Sequence, residues 1–389
     1  MSWELKKLNE IVLVKSGKRL PKGHNFVSKA TNHPYIRARD IKNGKIKIEE
    51  PVYISENTFN VISRYTVSEN DLVITIVGAN VGDIAFVDSE HDGANLTENA
   101  AKLTPKDSDA LSPKFLKYSL FGDVQKSKFQ QIAMAAAQPK LGLYKIKDFE
   151  ISTPPLQTQK RIADILSAYD DLIENNLKRI KLLEQAAQNI YKEWFVNLRF
   201  PGHENTPINN ETGLPEGWEE KALGEFTQIK KGKNITKSTI KEGNVPVVAG
   251  GLKPAYYHNT SNTSNPVITV SASGANAGYV NMYLEDIWAS DCSYIDSKLS
   301  DSVFFIHNLL SNQQELIFGM QRGAAQPHVY PKDLKRAEFV IPDKGLIQKF
   351  EEQVSAQYDM KRVLNKQNQK LKAARDILLP RLMNRTIEV

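Results

Sequence analysis

Apolar residues recur at helical spacing in the middle of the chain. From Ile162, steps alternating between four and three residues reach ten positions, nine of them apolar: Ile162, Leu166, Tyr169, Ile173, Asn176, Ile180, Leu183, Ala187, Ile190 and Trp194. This mean repeat of 3.5 residues is typical of a helix that packs along another helix. The pattern predicts a helix over residues 158–198 with Thr158 as its N-cap, because Pro154 and Pro155 precede it.

A second helical pattern near the end of the chain is the expected partner. Its seam positions are Phe350, Val354, Gln357, Lys361, Leu364, Asn368, Leu371, Arg375 and Leu378. This seam is weaker than the first. Of the four positions between the residues spaced by seven, only Val354 is apolar, and Lys361, Asn368 and Arg375 are polar. Pro380 is expected to end or kink the helix.

Each predicted helix carries one asparagine on its seam, Asn176 in the first and Asn368 in the second. A buried asparagine in a coiled coil fixes the register of the helices at some cost in stability. Alternatively, either asparagine simply faces solvent. The sequence leaves both interpretations open.

The sequence contains an internal repeat. Trp3, Lys15, Gly17 and Lys18 recur 215 positions later as Trp218, Lys230, Gly232 and Lys233. A Gly-Ala-Asn-x-Gly motif at residues 78–82 recurs at 274–278, and an Ala-Ala-Gln-Pro motif at 136–139 recurs 188 positions later at 324–327. Because the three landmarks keep their order and each copy leads into a long helix, an internal duplication is predicted.

Each copy has the pattern of a mixed α+β domain. Strand-like runs at residues 72–77 and 84–87 flank the first glycine-rich turn, and runs at 266–271 and 279–283 flank the second. Further strands are predicted at 146–152 and 336–341. We therefore predict domains at 1–153 and 218–342, long helices within 154–200 and 343–389, and a proline- and glycine-rich linker at 201–217.

Composition narrows the class of protein. The 389 residues exceed one ordinary domain, and 41% of them are hydrophobic, enough to build cores. A single cysteine, Cys292, excludes an internal disulfide and a cysteine cluster for zinc. No apolar run approaches the length of a membrane span, and the N-terminal sequence lacks the apolar core of a signal peptide, so we expect a soluble cytoplasmic protein without a membrane partner. The formal charge of +6 leans weakly towards a polyanionic partner.

Several motifs together resemble the specificity subunits of type I restriction–modification systems. They are Pro-Pro-Leu-Gln-Thr-Gln-Lys-Arg-Ile at 154–162, Trp-Phe at 194–195, Leu-Pro-Glu-Gly-Trp-Glu at 214–219 and Arg-Asp-Ile-Leu-Leu-Pro-Arg-Leu at 375–382. The resemblance covers nearly the whole chain and includes the order of domain, helix, domain, helix.

The resemblance implies an α+β protein with two similar target-recognition domains, separated by two long helices that form an antiparallel coiled coil within one chain. Each domain would read one half of a split sequence in double-stranded DNA. The helices would dock methylation subunits and, through them, the restriction subunit. The chain itself would not be an enzyme. A homodimer with helices paired between chains stays open when partner subunits are absent.

Basic residues cluster at equivalent places in both copies. Residues 15–47 contain ten lysines and arginines against one acid, and residues 228–258 contain six lysines against one acid. Phosphate binding requires such clusters, although a solvated basic face has the same composition. The candidate DNA-binding residues are Lys15, Lys18, Arg19, Lys22, Arg37 and Arg39 in the first copy and Lys230, Lys231, Lys233 and Lys237 in the second.

Arg37 and Arg39 alternate on a run expected to be extended, so both side chains would point the same way. Arginine can grip guanine through two hydrogen bonds, which are worth about 1–3 kcal/mol of discrimination. One of the two arginines is equally suited to a structural ion pair with Asp40.

Four amide side chains are further candidates. Asn80 and Asn276 lie in the glycine-rich turns, and Gln138 and Gln326 lie in the Ala-Ala-Gln-Pro motifs. Either amide type can bind adenine through two hydrogen bonds. However, asparagine beside glycine is first of all a turn former, and the glutamines would serve equally as caps for backbone groups.

Nothing in the sequence supports a catalytic site. The Asn or Asp followed by Pro-Pro and an aromatic residue, which a DNA methyltransferase needs, is missing, as is the complete glycine-rich loop of a phosphate-binding site. No cofactor and no metal site is predicted. The alternative function is a coiled-coil scaffold whose basic domains bind another acidic partner. Salt-sensitive, sequence-selective binding of duplex DNA would distinguish the two.

Overall fold

The computed structural model describes residues 3–134, 140–323 and 326–389. They form two compact units. The first unit runs to Ile173 and takes in Gln369–Val389, and the second comprises Glu174–Asn368. Each unit therefore contains one α+β domain together with a segment of each long helix.

The first copy contains ten strands and five short helices within its described residues. The strands are β1 (Glu4–Lys7), β2 (Val12–Ser16), β3 (Tyr35–Ile36), β4 (Ile41–Lys42), β5 (Gly44–Ile46), β6 (Leu72–Thr75), β7 (Ile84–Phe86), β8 (Asn95–Leu96), β9 (Ala100–Pro105) and β10 (Glu150–Thr153). The helices are α1 (Leu8–Ile11), α2 (Glu56–Ile62), α3 (Pro113–Leu120), α4 (Asp123–Ala133) and α5 (Leu143–Lys147). The long helix α6 (Leu156–Tyr191) follows, continued by a π-helical turn at Lys192–Val196.

The second copy repeats this layout with fewer elements. Its strands are β11 (Glu219–Ala222), β12 (Lys230–Lys231), β13 (Val245–Val248), β14 (Tyr256–His258), β15 (Val267–Ser271), β16 (Val280–Tyr283), β17 (Trp288–Ala289), β18 (Cys292–Asp296) and β19 (Glu338–Ile341). Its helices are α7 (Leu223–Phe226), α8 (Val303–Asn312), α9 (Gln314–Phe318), α10 (Pro331–Arg336) and the long helix α11 (Lys344–Met383).

The sheets confirm the predicted duplication. The first sheet has the strand order β2-β9-β6-β7-β5-β4, and the second has the order β12-β18-β15-β16, which repeats the first four positions. In each copy the first and last strands also pair with each other, β1 with β10 and β11 with β19, and a separate parallel pair forms, β3 with β8 and β13 with β17.

The predicted hairpins are present in both copies. Strands β6 and β15 are buried along their whole length, as their continuous apolar runs require. Gly82 and Gly278 have positive φ angles of 88° and 87°, and each donates a backbone hydrogen bond that closes its hairpin. The strands predicted at 146–152 and 336–341 are shorter, because their first residues belong to helices α5 and α10.

Helix α6 begins earlier than predicted, so Thr158 as N-cap is wrong. The carbonyl oxygen of Pro155 already accepts a hydrogen bond from the amide of Gln159 at 3.0 Å, which makes Pro155 the capping position. The Gln159 side chain, 1% exposed, binds the carbonyl of Pro154 and the amide of Ser112. These contacts fix the point where the chain enters the helix.

Pro380 does not end helix α11, which continues to Met383. A proline this close to the C-terminus removes one backbone hydrogen bond, and the last turn is held by side chains. Leu379 and Leu382 are 8% and 1% exposed and belong to the core of the first unit. At the other end, Asp343 accepts a hydrogen bond from the Leu346 amide at 3.0 Å, as expected for a cap.

The long helices run antiparallel. In the second unit, Asn176 contacts Asn368, while Glu184, eight residues later, forms an ion pair with Lys361, seven residues earlier than Asn368. The predicted seam positions of α6 are buried or half-buried throughout: Ile162, Leu166, Tyr169, Ile173, Asn176, Ile180, Leu183, Ala187 and Ile190. On α11, Leu364 and Asn368 are buried, and Leu371 and Leu378 are half-buried.

Candidate nucleic-acid interface

The basic clusters of the two copies lie on equivalent edges of equivalent sheets. Gly17, just after β2, donates to the carbonyl of Ala100 at 3.0 Å, and Gly232, just after β12, donates to that of Cys292 at 2.8 Å. At either glycine a Cβ atom would overlap a neighbouring carbonyl oxygen, that of Thr97 or of Ser290. The repeated glycine therefore permits close backbone approach and has a structural role.

The lysines beside these glycines face solvent. Lys15 and Lys18 are exposed in the first copy, and Lys230, Lys231 and Lys233 in the second. The backbone amide of Lys18 donates to the carbonyl of Leu96 in β8 at 2.8 Å, and that of Lys233 donates to the carbonyl of Ala289 in β17 at 2.9 Å. The backbone thus fixes the positions of Lys18 and Lys233, while their side chains remain exposed. Lys22 and Lys237 are exposed on the loops that follow.

Arg37 and Arg39 pair with different carboxylates. Residues Ala38–Asp40 form a 3-10 turn, so the expected extended run is wrong. Arg37 places two nitrogens 3.0 and 3.1 Å from the carboxylate oxygens of Asp40, which is 2% exposed. Arg39 donates to the exposed carboxylate of Glu50 at 2.8 Å, and Arg37 also donates to the backbone carbonyl of Glu50. Arg37 therefore stabilises the loop, and Arg39 lies at the surface.

Arg19 is also engaged within its own domain. Its Nε lies 2.7 Å from a carboxylate oxygen of Glu98, which precedes strand β9. The arginine side chain is 79% exposed, so the pair can open towards a phosphate at little cost.

The candidate asparagines and glutamines differ in how exposed they are. Asn80 is exposed at its hairpin tip, whereas Asn276 is half-buried with its side-chain nitrogen 3.5 Å from the carbonyl of Gly250. The carbonyls of both residues close turns by accepting from Asp83 and Tyr279. Gln326 is exposed. Gln138 lies outside the described residues.

A buried polar cluster, which the sequence did not single out, joins the first domain to the long helices. Asp170 on α6 accepts hydrogen bonds from Lys117 at 2.8 Å, Tyr118 at 2.7 Å and Arg375 at 2.6 Å. Burial alone would raise the pKa of Asp170, but the charges and hydrogen bonds of Lys117 and Arg375 hold it below its usual value. Only the position of Arg375 on the predicted seam hinted at this contact.

The second domain meets α11 through a different polar cluster. The hydroxyl of Tyr358 lies 2.9 Å from the amide nitrogen of Asn308 and 3.2 Å from Nδ1 of His307. Burial lowers the pKa of His307 to about 3, so the ring is neutral. Nearby, Glu351 accepts a hydrogen bond from the amide of Phe305 at 2.6 Å, at the start of α8.

The chain is a duplicated two-domain protein. Each copy of the sheet arrangement has an exposed basic edge and packs on segments of two antiparallel helices. The family model described as type I restriction modification DNA specificity domain matches residues 1–185 and 215–373. The chain belongs to this family, and it contains two of these domains.

Individual proteins are similar to this chain along most of its length. The type I restriction enzyme MjaIX specificity subunit of Methanocaldococcus jannaschii is 25% identical over 98% of this chain and 92% of that protein. The HindI specificity subunit of Haemophilus influenzae is 22% identical over 83% and 87%. The crystal structure of the S subunit from M. genitalium superposes with a TM-score of 0.60 at 18% identity, covering 98% of this chain and 96% of that chain, and it has the same fold.

Within the described ranges, no helix combines the length and the apolar character needed to cross a membrane.

Proposed function

We propose that this chain is the non-catalytic, DNA-reading subunit of a type I restriction–modification complex. Each recognition domain reads one half of a bipartite target in double-stranded DNA. The long helices dock the methylation subunits and, through them, the restriction subunit, and the complex acts in the cytoplasm. The bases are modified by the partner subunits, and this chain chooses where.

The observation that carries the proposal is the matched pair of basic sheet edges. Lys15 and Lys18 occupy the same structural positions as Lys230 and Lys233, and all four side chains are exposed. A lysine side chain facing water is worth little to the fold itself. An exposed lysine nevertheless stands at the same place in both copies, beside a glycine that fixes the backbone. This repetition supports binding of one repeating polyanion by both domains.

The strand pairing supports domain bounds at 1–153 and 218–342. Glu4 is paired with Thr153, and Glu219 with Ile341, so each domain begins and ends on one two-stranded sheet. A segment whose ends lie side by side can be exchanged without moving its surroundings. Replacing residues 1–153 by the corresponding domain of a relative should therefore change one half of the target sequence and leave the other half unchanged.

The test is to co-purify the chain with the methylation subunit from its own source and to map methylated sites on genomic DNA. We expect a split motif with a fixed gap that disappears when this chain is deleted.

The basic edge of the second domain can be tested separately. The double variant Lys230→Gln/Lys233→Gln should weaken methylation. The control Lys332→Gln/Lys335→Gln, which removes the same charge from exposed residues of helix α10, should not.

If the chain binds no methylation subunit and no methylated motif depends on it, the proposal is wrong. The coiled-coil scaffold for another acidic partner would then be the better account. Binding of duplex DNA without sequence preference would contradict the reading role while leaving the basic edges as DNA contacts.

A further inference from the structure

A cavity in the first unit gathers basic residues from distant parts of the chain. It has a volume of about 320 Å³, and its walls include Lys15, Arg64, Tyr65 and Lys102. Lys15 comes from the edge strand β2, Lys102 from the adjacent strand β9, and Arg64 from the 3-10 turn after α2. Of these four residues, only Lys15 belongs to the basic cluster at residues 15–47.

The register of the sheet sets two like charges against each other. Lys15 lies directly opposite Lys102 in the antiparallel pair of β2 and β9. Two like charges in this position destabilise a sheet unless an anion lies between them. Lys102 is partly neutralised, because its Nζ is 3.5 Å from a carboxylate oxygen of Asp71 and 2.7 Å from the carbonyl of Thr66.

Other cations around the cavity have no acid of their own. Within the described residues, Lys15 and Arg64 form no ion pair, and both are exposed. Lys18 lies nearby, with its Nζ 5.6 Å from the ring centre of Tyr65. Asp71, the acid beside Lys102, is 1% exposed and also accepts a hydrogen bond from the amide of Ser68. The cavity therefore has an uncompensated positive charge.

These properties fit a phosphodiester group. Arginine and lysine donors converge on a concave surface, which favours a compact anion with several acceptor oxygens. The cavity offers no described carboxylate that would read a base through its amino group. The aromatic ring of Tyr65 provides a wall against which a sugar can pack.

The second copy does not repeat this arrangement. Lys230, the counterpart of Lys15, lies opposite Tyr294 and not opposite a lysine. The like-charge pair is therefore specific to the first domain, in contrast to the glycines and lysines that both copies share. The two domains therefore differ in the arrangement of basic residues along this sheet edge.

We propose that this cavity binds one backbone phosphate of the duplex and thereby fixes the register of the first domain on its half of the target. The inference rests on the proposed function and assigns Lys15 and Arg64 to positioning and not to base reading. Because a phosphate is common to every sequence, these residues should affect affinity without affecting sequence preference.

The test uses the complex with its methylation subunits and a duplex carrying the mapped target. The double variant Lys15→Gln/Arg64→Gln should flatten the plot of log affinity against log salt by about one unit of slope, the value for one phosphate contact. When the salt concentration rises fourfold, the factor by which the variant complex loses affinity should be about three- to fourfold smaller than the factor for the unaltered complex. Sequence preference should not change.

The matched control is Lys114→Gln/Lys160→Gln, which removes two exposed lysines outside the cavity in the same unit. Thermal unfolding of both variants checks that the fold is intact. If the cavity variant keeps the original slope, or if the control lowers the slope equally, the phosphate site is wrong and the DNA-reading function stands. If the unaltered complex binds no duplex, the function fails and the site fails with it.

Discussion

The side-chain amide of Asn176 donates a hydrogen bond of 3.0 Å to the side-chain oxygen of Asn368, 192 residues away in the sequence. The two residues are 7% and 4% exposed, so both face the seam and not solvent. The Nδ2 of Asn368 has no hydrogen-bond partner among the described residues. The pair fixes how the two helices align in the second unit, at the cost of one unsatisfied buried donor.

Replacing only one member of this pair should cost more than replacing both. In Asn176→Leu, the polar atoms of Asn368 lose their one partner, and we expect a loss of about 1–3 kcal/mol in the free energy of unfolding. In Asn176→Leu/Asn368→Leu, no polar group is left buried, so stability should return to the starting value or exceed it. Urea unfolding measures both, and Asn175→Leu, on the exposed face, is the control. A double variant less stable than the single variant would contradict this account.

The buried charges around Asp170 give a second prediction. Asp170→Asn would leave the ammonium group of Lys117 without a counter-ion in a buried position, and removal of one partner from such a pair typically costs about 3–5 kcal/mol. Asp171→Asn, one residue further along α6 and exposed, should change stability little. Denaturant unfolding of the first unit, followed by hydrogen exchange of the α3 amides, measures the difference.

The same cluster allows a compensating change. In Asp170→Asn/Lys117→Met, the buried ammonium group is gone, so much of the lost stability should return. If the double variant is as unstable as Asp170→Asn alone, the loss comes from packing and not from the unpaired charge.

Glu351 should make the second unit less stable as pH rises. Burial raises the pKa of Glu351 to about 7 from its usual value near 4.5, although the amides of Phe305 and Phe304 oppose the shift. Below pH 4.5 the carboxyl is protonated in both states and costs nothing. Between pH 4.5 and 7 only the unfolded chain releases the proton, so the free energy of unfolding falls by about 3 kcal/mol and then stays level.

Glu351→Gln isolates this effect, because the amide oxygen can still accept from Phe305 but cannot ionise. The difference in stability between the variant and the unaltered chain should be small at pH 4.5 and should grow in favour of the variant up to about pH 7. Thermal unfolding across this range provides the measurement. A constant difference at all pH values would show that Glu351 does not titrate as its burial requires.

The duplicated glycines are expected to be intolerant of any side chain. Gly17→Ala and Gly232→Ala each place a Cβ atom onto a carbonyl oxygen of the neighbouring strand connection, so each should destabilise its own domain by about 1–3 kcal/mol. Gly251→Ala is the control, since its Cβ would meet nothing closer than 3.6 Å. If Gly232→Ala unfolds at the same temperature as the unaltered protein, the structural explanation for the repeated glycine is wrong.

The long helices and the hairpins could be predicted from the sequence because their signals are local and periodic. The seam from Ile162 to Ile190 follows a repeat typical of a paired helix, and burial of Asn176 and Asn368 was one of the two alternatives that it left open. Their contact with each other was not predicted. Of the two outcomes expected at Pro380, an end of the helix was wrong, because the tertiary contacts of Leu382 outweigh the local preference of proline.

The functional surface was harder to predict. Arg37 and Arg39 looked alike as sequence, but a 3-10 turn sends one into an ion pair with Asp40 and leaves the other at the surface. The cavity with Arg64 and Lys102 depends on strand register between residues far apart, and no periodic pattern encodes that register. Clusters of charge in the sequence therefore pointed to the strand that carries Lys15 but not to the other side chains that line the cavity.

The contact between the domain and its long helix differs in chemistry between the two copies. Asp170 and Tyr358 are 188 positions apart, the same spacing as the Ala-Ala-Gln-Pro motifs, and each receives polar groups from the adjacent helix of its own domain. One contact is ionic and the other is neutral. Recombination that set Lys117 against Tyr358 would replace its direct carboxylate partner, Asp170, by a hydroxyl, so we expect it to cost stability. A recognition domain inherited together with its own helix segment carries its matching partner with it.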